Sequence, residues 1–250
     1  MLISNIIAHR GASALAPENT LAAFRKASEI GAKWVEFDVM LAACGEAVVI
    51  HDETLDRTTN GQGRVMDYPY SWLQTLDAGS WFNPIFSREK IPTLADVLLV
   101  LNQLDLGLNI EIKPAAGYED ETVKKVLDVI QLNWPADKKP PLISSFSKIV
   151  LETVRQYSST HLLAYLMDEW RTDWKKACDD LNCVSVDINH HILNPARVDE
   201  VKSTNRLILS YTVDDPMIAR QLFDWGVDSI FSNCPTGMQC FLRQPKTQKM

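Results

Sequence analysis

For most of its length this chain alternates short apolar, strand-like runs with segments whose apolar residues recur at helical spacing. That alternation limits its fold more than any other feature. Strand-like runs stand at 4–9, 33–39, 47–50, 108–112, 142–145, 162–166, 184–188, 207–211 and 229–231. Helix-like runs separate most of them, at 20–30, 94–104, 121–132, 149–157, 170–181, 195–202 and 217–225. In the first helical run Leu21, Phe24, Ala27 and Ile30 share a face, Asn19 or Thr20 can cap the start, and Gly31 can end it. Repeated β–α units mean parallel strands joined by right-handed crossovers. The expected fold is therefore α/β, a TIM-type (β/α)8 barrel, and 250 residues is an ordinary length for one such domain spanning 1–250.

Nine strand-like segments are one more than a closed barrel takes. The stretch EFDVMLAACGEAVVIHD accounts for the surplus. Only a few residues around Cys44-Gly45 join its halves, too few for a helical crossover, so it reads as a hairpin with one arm serving as the barrel strand. Residues 52–92 then break the rhythm. They carry Gly61, Gly63, Pro69, Trp72, Trp81, Pro84 and Pro92 without a clear strand. They read as a small insertion after the third strand segment, packed over one end of the barrel.

Composition removes several alternatives. The chain is 46% hydrophobic and 23% charged, which suits a globular protein and not a disordered one. A net charge of −7 disfavours a nucleic-acid partner. The five cysteines are odd in number and none stands in C-x-x-C spacing, which fits reduced thiols in a cytoplasmic protein. Residues 2–8 read as a buried first strand and not as a secretory leader, and no apolar run is long enough for stable membrane insertion.

A β/α barrel places its active site at the C-terminal ends of its strands. The first strand here ends in His9-Arg10-Gly11, the second carries Glu36 and Asp38, and the third segment ends in His51-Asp52. The next carries Glu111 and Lys113, and the one after it ends in Ser144-Ser145-Phe146. Side chains alternate along a strand, so Glu36 faces the same way as Asp38, and Glu111 the same way as Lys113. Charges turned toward a barrel interior need partners or a metal. Three carboxylates against one lysine and an arginine leave surplus negative charge, and all-oxygen ligands suit one hard divalent cation, Mg²⁺ or Ca²⁺. Two histidines beside such an ion suit acid–base chemistry at a phosphodiester, with Arg10 and Lys113 offsetting the phosphate charge. Any one of these residues alone would more often be structural; together, on successive strands, they point to a site. His190-His191 reads as rim, His161 as structural and Trp34 as core, while Trp72, Trp81 and Trp170 are candidates to line the mouth.

The runs HRG…PENTLAAF, EFD, VVIHDETLDRTTNGQG, IEIK, SSF, YTVDD and GVDSIF occur in that order over nearly the whole chain. Together they resemble the glycerophosphodiester phosphodiesterase family. MDEWRTDW, CVSVDINHHIL and PARV look like its bacterial cytoplasmic branch that serves glycerol-phosphate uptake. The resemblance implies hydrolysis of small glycerophosphodiesters, such as glycerophosphocholine or glycerophosphoethanolamine, to sn-glycerol 3-phosphate and an alcohol. It implies His9 and His51 as the acid–base pair, Glu36, Asp38 and Glu111 as metal ligands, and Arg10 and Lys113 as phosphate contacts. Glu18 and Asn19, in the PENT motif, are taken to shape the mouth. Many relatives carry Trp at Tyr211, Asn at Asp214 and Thr-Asp at Ser232-Asn233, departures that bear on substrate preference. Attack by the glycerol hydroxyl to give a cyclic phosphate, and a non-catalytic barrel that binds phosphorylated ligands, are the alternatives. Which histidine is base and which is acid stays open at this level.

Overall fold

A computed structural model describes residues 3–242. In chain order the elements are β1 (Ile6–His9), α1 (Leu21–Glu29), β2 (Trp34–Leu41), β3 (Ala47–Val49), α2 (Tyr70–Leu73), α3 (Leu94–Gln103), β4 (Gly107–Ile112), α4 (Glu119–Asn133) and β5 (Leu142–Ser145). They continue with α5 (Lys148–Tyr157), β6 (Leu162–Met167), α6 (Trp174–Asp180), β7 (Ser185–Asn189), α7 (Pro195–Lys202), β8 (Leu207–Tyr211), α8 (Pro216–Trp225), β9 (Ser229–Ser232) and α9 (Pro235–Leu242).

Eight strands pair in parallel, in the order β1, β2, β4, β5, β6, β7, β8, β9, and β9 returns to β1 through Ile7↔Phe231 to close the barrel. The expected (β/α)8 fold is present. The ninth strand is the expected hairpin arm: β3 runs antiparallel to the end of β2, with Val39↔Val49 and Leu41↔Ala47 in register. Because β3 pairs only with the tip of β2, β2 still lies beside β4 from Trp34↔Gly107 to Val39↔Ile112. Glu36, Asp38 and Glu111 are thereby brought onto adjacent strands, with Asp38 directly opposite Glu111.

Strand parity divides the core in two. One face of the strands packs against the helices, through residues such as Phe24, Phe37, Ile110, Val126 and Ile188. The other fills the barrel with Ile7, Trp34, Leu142, Ala164, Leu209 and Phe231. Trp34 is buried in this interior, and β4 gives it room by starting on a glycine. A Cβ at Gly107 would stand 2.4 Å from the Trp34 ring. On the same inward face, Glu36 and Asp38 follow Trp34 at intervals of two, so the apolar plug grades into a charged mouth along a single strand.

Helix ends follow the sequence. Thr20 caps α1 by accepting from the Ala23 N–H, and Thr93 and Asp96 form a reciprocal capping box on α3. Residues 52–92 form a separate small layer. It holds α2, two short 3-10 turns and an antiparallel bridge between Thr54 and Arg64, over a core that includes Leu55, Val65, Leu73 and Ile91. Among the described residues no helix is long and apolar enough to cross a membrane.

Candidate active site

The mouth is built first by backbone geometry. After β1 the chain turns through two consecutive residues with positive φ, Arg10 at 54° and Gly11 at 80°. A Cβ at Gly11 would come within 2.7 Å of the Ala23 backbone, so only glycine fits there. The turn aims the Arg10 N–H at Glu36 Oε2, 3.0 Å away. Asn19 is a second non-glycine residue in left-handed backbone, at φ 58°. Its side chain holds Asp38 twice: Nδ2 donates to Asp38 Oδ2 at 2.9 Å, and Oδ1 accepts from the Asp38 N–H at 3.4 Å. Such strain persists where surrounding structure over-determines it, commonly at functional sites.

Glu36, Asp38 and Glu111 each place one carboxylate oxygen within 4.8 Å of the others. Glu36 and Asp38 are buried. Burial, followed by repulsion from Asp38 and Glu111, raises Glu36 well above the usual carboxylate range. Burial and Asp38 likewise push Glu111 up to about 8. Glu111 Oε1 is buried without a hydrogen-bond partner. An unpaired buried oxygen beside two further carboxylates is the arrangement a hard divalent cation satisfies, so these residues fit the metal expected of them.

Two imidazoles face this cluster. His9 Nε2 lies 3.9 Å from Glu36 Oε2, and His51 Nε2 lies 4.0 Å from Asp38 Oδ1. Both rings are oriented from behind. His9 Nδ1 meets Asn233 Oδ1 at 2.8 Å. Asn233 Nδ2 donates to Asp214 at 2.6 Å and its Oδ1 accepts from Ser13, so the amide orientation is set and His9 Nδ1 carries the hydrogen. His51 Nδ1 meets Asp52 Oδ1 at 2.6 Å. Burial, then the Arg10 charge, push His9 down to about 4 against the Asn233 hydrogen bond. Burial also lowers His51, opposed by Asp38 and by Asp52.

The cations bracket Asp38: Arg10 Nε is 3.7 Å from Oδ2 and Lys113 Nζ is 3.6 Å from Oδ1. Arg10 also binds Glu18 at 2.8 Å. Glu18 then takes a two-pronged contact from Arg57, which holds Asp52 by two further hydrogen bonds. Burial opposes ionisation of Glu18, but Arg57 and Arg10 outweigh it and hold Glu18 down at about 2. Arg57, with hydrogen bonds to Glu18 and Asp52, keeps Asp52 below its usual range. An unbroken ionic chain thus runs Arg10–Glu18–Arg57–Asp52–His51.

All seven residues singled out in the sequence stand at this one mouth. A cavity of about 110 Å³ opens between them, bordered by His9, Arg10, His51, Glu111, Phe146 and Tyr211 among others. Asn109 Oδ1, Ser144 Oγ and the Tyr211 hydroxyl, also on its wall, are buried without protein partners. None of Trp72, Trp81 and Trp170 lines that cavity: Trp72 stacks on Tyr68, Trp81 donates to Ala78, and Trp170 lies against Arg197. His190 does not line that cavity; its Nδ1 lies 3.2 Å from the Tyr211 carbonyl. Sequence reasoning gave no role to Asp52 or Arg57 and only a bearing on substrate preference to Asp214 and Asn233. The adjacency of Asp52 to His51 was the one signal available.

Residues 9–236 match the model of the glycerophosphoryl diester phosphodiesterase family. The chain is 35% identical to the glycerophosphodiester phosphodiesterase of Caldanaerobacter subterraneus subsp. tengcongensis, over 92% of this chain and 94% of that one. It is 31% identical to a glycerophosphodiester phosphodiesterase of Bacillus subtilis, over 92% and 83%. Among solved structures, an Oleispira antarctica phosphodiesterase in complex with the product sn-glycerol-3-phosphate superposes with a TM-score of 0.94, at 36% identity, covering 97% of this chain and 98% of that one. A glycerophosphodiester phosphodiesterase from Agrobacterium tumefaciens superposes at 0.80, with 29% identity, over 95% and 100%.

Proposed function

This chain belongs to the glycerophosphoryl diester phosphodiesterase family, and from that premise we propose that it hydrolyses glycerophosphodiesters to sn-glycerol 3-phosphate and an alcohol by metal-assisted acid–base catalysis with two histidines. The observation that carries the mechanism is the approach of two imidazole Nε2 atoms to one cluster of three carboxylates. The bound product of the Oleispira relative supports glycerol 3-phosphate as the product here.

Glu36, Asp38 and Glu111 hold one divalent cation, Mg²⁺ or Ca²⁺. When bound, it supplies Lewis-acid stabilisation of the phosphoryl charge. Arg10 and Lys113 add positive charge on the phosphate oxygens. His9 is kept neutral and has its Nδ1–H committed to Asn233, so it presents the Nε2 lone pair and removes a proton from the attacking water. His51, whose Nδ1 is held by Asp52, donates from Nε2 to the departing alkoxide. The water oxygen forms a bond to phosphorus as the bond to the alcohol oxygen breaks. One proton reaches His9 and one leaves His51.

Residues 1–250 act as one catalytic unit, and the insertion at about 52–92 supplies Asp52 and Arg57. The cysteine pattern supports a reducing, cytoplasmic setting. The test is a coupled assay for glycerol 3-phosphate release, run after EDTA treatment and again with Mg²⁺ or Ca²⁺ restored. Activity that survives thorough chelation would sink the metal assignment. Phosphorus NMR of the first product separates direct hydrolysis from a cyclic phosphate.

A further inference from the structure

The larger cavity beside the site is not the one between the histidines. It measures about 240 Å³ and lies between the β2–β3 hairpin, the insertion and the start of α4. Its wall includes Met40, Leu41, Ala42, Met66, Ala115 and Tyr118. It adjoins the catalytic cluster by construction. Met40 follows Asp38 by two residues on β2 and so shares its face, about 7 Å further along the strand. Lys113, 3.6 Å from Asp38, is itself part of the wall. Glu53, on the same wall, lies two residues beyond His51.

We propose that this cavity is the subsite for the alcohol half of the phosphodiester, and that it selects alcohols carrying an apolar group of several carbons. The inference rests on the function given above. A phosphodiester seated against Lys113 has two substituents to place. The cavity of about 110 Å³ is walled by buried polar atoms of Asn109, Ser144 and Tyr211, which match glycerol hydroxyls. The larger cavity has a mainly apolar wall with two methionines, whose flexible thioethers adapt to varied apolar shapes. Glu53 on its wall lies two residues beyond His51, the group assigned to protonate the alkoxide. Of its charged groups, Glu53 and Glu121 are matched by Arg64 and Lys113, so the wall has no strong preference for a cationic alcohol.

The experiment is a homologous series of sn-glycerol 3-phosphate esters of ethanol, butanol, hexanol and octanol, with the choline and ethanolamine esters alongside. Glycerol 3-phosphate release is measured for each with the metal-loaded protein. The value of kcat/KM is expected to rise roughly threefold to fourfold per methylene until the cavity is full. Ala43→Trp, at the exposed hairpin tip on the same wall, should flatten that rise, lowering kcat/KM for the hexyl and octyl esters far more than for the ethyl ester. Met66→Asp should do the same from the opposite wall, which keeps the test alive if one variant folds poorly. Equal kcat/KM along the series, a choline ester exceeding the hexyl ester, or an unchanged slope in both variants would overturn the subsite while leaving the hydrolase reading intact. No release from any ester would remove both.

Discussion

His51 Nδ1 and Asp52 Oδ1 lie 2.6 Å apart although the residues are neighbours in sequence, and Arg57 fixes the second oxygen of the same carboxylate at 2.6 Å. A residue adjacent in sequence seldom orients its neighbour's ring. Here Asp52 does so because the chain leaves β3 into a turn pinned by Arg57 and Glu18. The insertion therefore contributes to the chemistry through one ionic clasp.

Asp52→Asn should lower kcat by on the order of 10- to 100-fold, short of the roughly 100- to 10,000-fold expected of His51→Ala. Burial lowers the His51 pKa and the Asp52 carboxylate opposes that lowering, so its removal lowers the pKa further. A group that must be protonated then loses its proton at lower pH, and the alkaline limb of the pH–kcat/KM profile should move down. An unshifted limb would contradict His51 as the acid.

Asp214 and Asn233, two of the positions where the resemblance implies a departure, are coupled in the structure. Asn233 binds Asp214 at 2.6 Å and His9 at 2.8 Å, so an amide stands against the imidazole and the acid stands behind the amide. Asn233→Asp alone would set two carboxylates together. The double variant Asp214→Asn/Asn233→Asp restores one acid and one amide and puts the carboxylate against His9. It should fold normally and raise the His9 pKa from about 4, moving the acid limb of the profile to higher pH. Nitrogen-15 NMR of the imidazole reads the same shift directly.

Saturation with Mg²⁺ or Ca²⁺ at about 100 times Kd should stabilise the fold by about 2.7 kcal/mol. In a thermal melt that is a rise of roughly 5–10 °C. Glu111→Gln should abolish both the rise and the activity. A full rise in that variant would place the ion elsewhere.

Asp187 lies inside the barrel on β7, fully buried, with Ser185 as its hydrogen-bond partner and its other oxygen unpaired. Burial pushes it up to about 8 from 3.8. Between those values the folded state holds a proton that the unfolded state has lost, so stability falls as pH rises through the window. Asp187→Asn should remove that fall and raise the Tm at pH 8 more than at pH 4. An equal Tm difference at both pH values would be the contrary result.

The barrel was legible because parallel strands buried on both faces leave apolar runs, and the helices between them keep a strict 3.6-residue period. The hairpin was legible because a join at Cys44-Gly45 is too short for a crossover. Strand parity ties Glu36 to Asp38 from the sequence alone. What escaped was orientation behind the histidines. Arg57, Asp214 and Asn233 lie in loops without periodicity, and their meeting depends on how distant strands close. The tryptophans misled for a related reason: an aromatic in an insertion can stack locally, as Trp72 does on Tyr68, without reaching the mouth.

The bond between His9 and Asn233 spans 224 positions and crosses the seam where β1 meets β9. A chain emerging from the ribosome makes His9 224 positions before its orienting partner. Until the last strand docks, the imidazole has no fixed tautomer and no fixed direction. Catalytic competence is thus withheld until β9 has closed against β1.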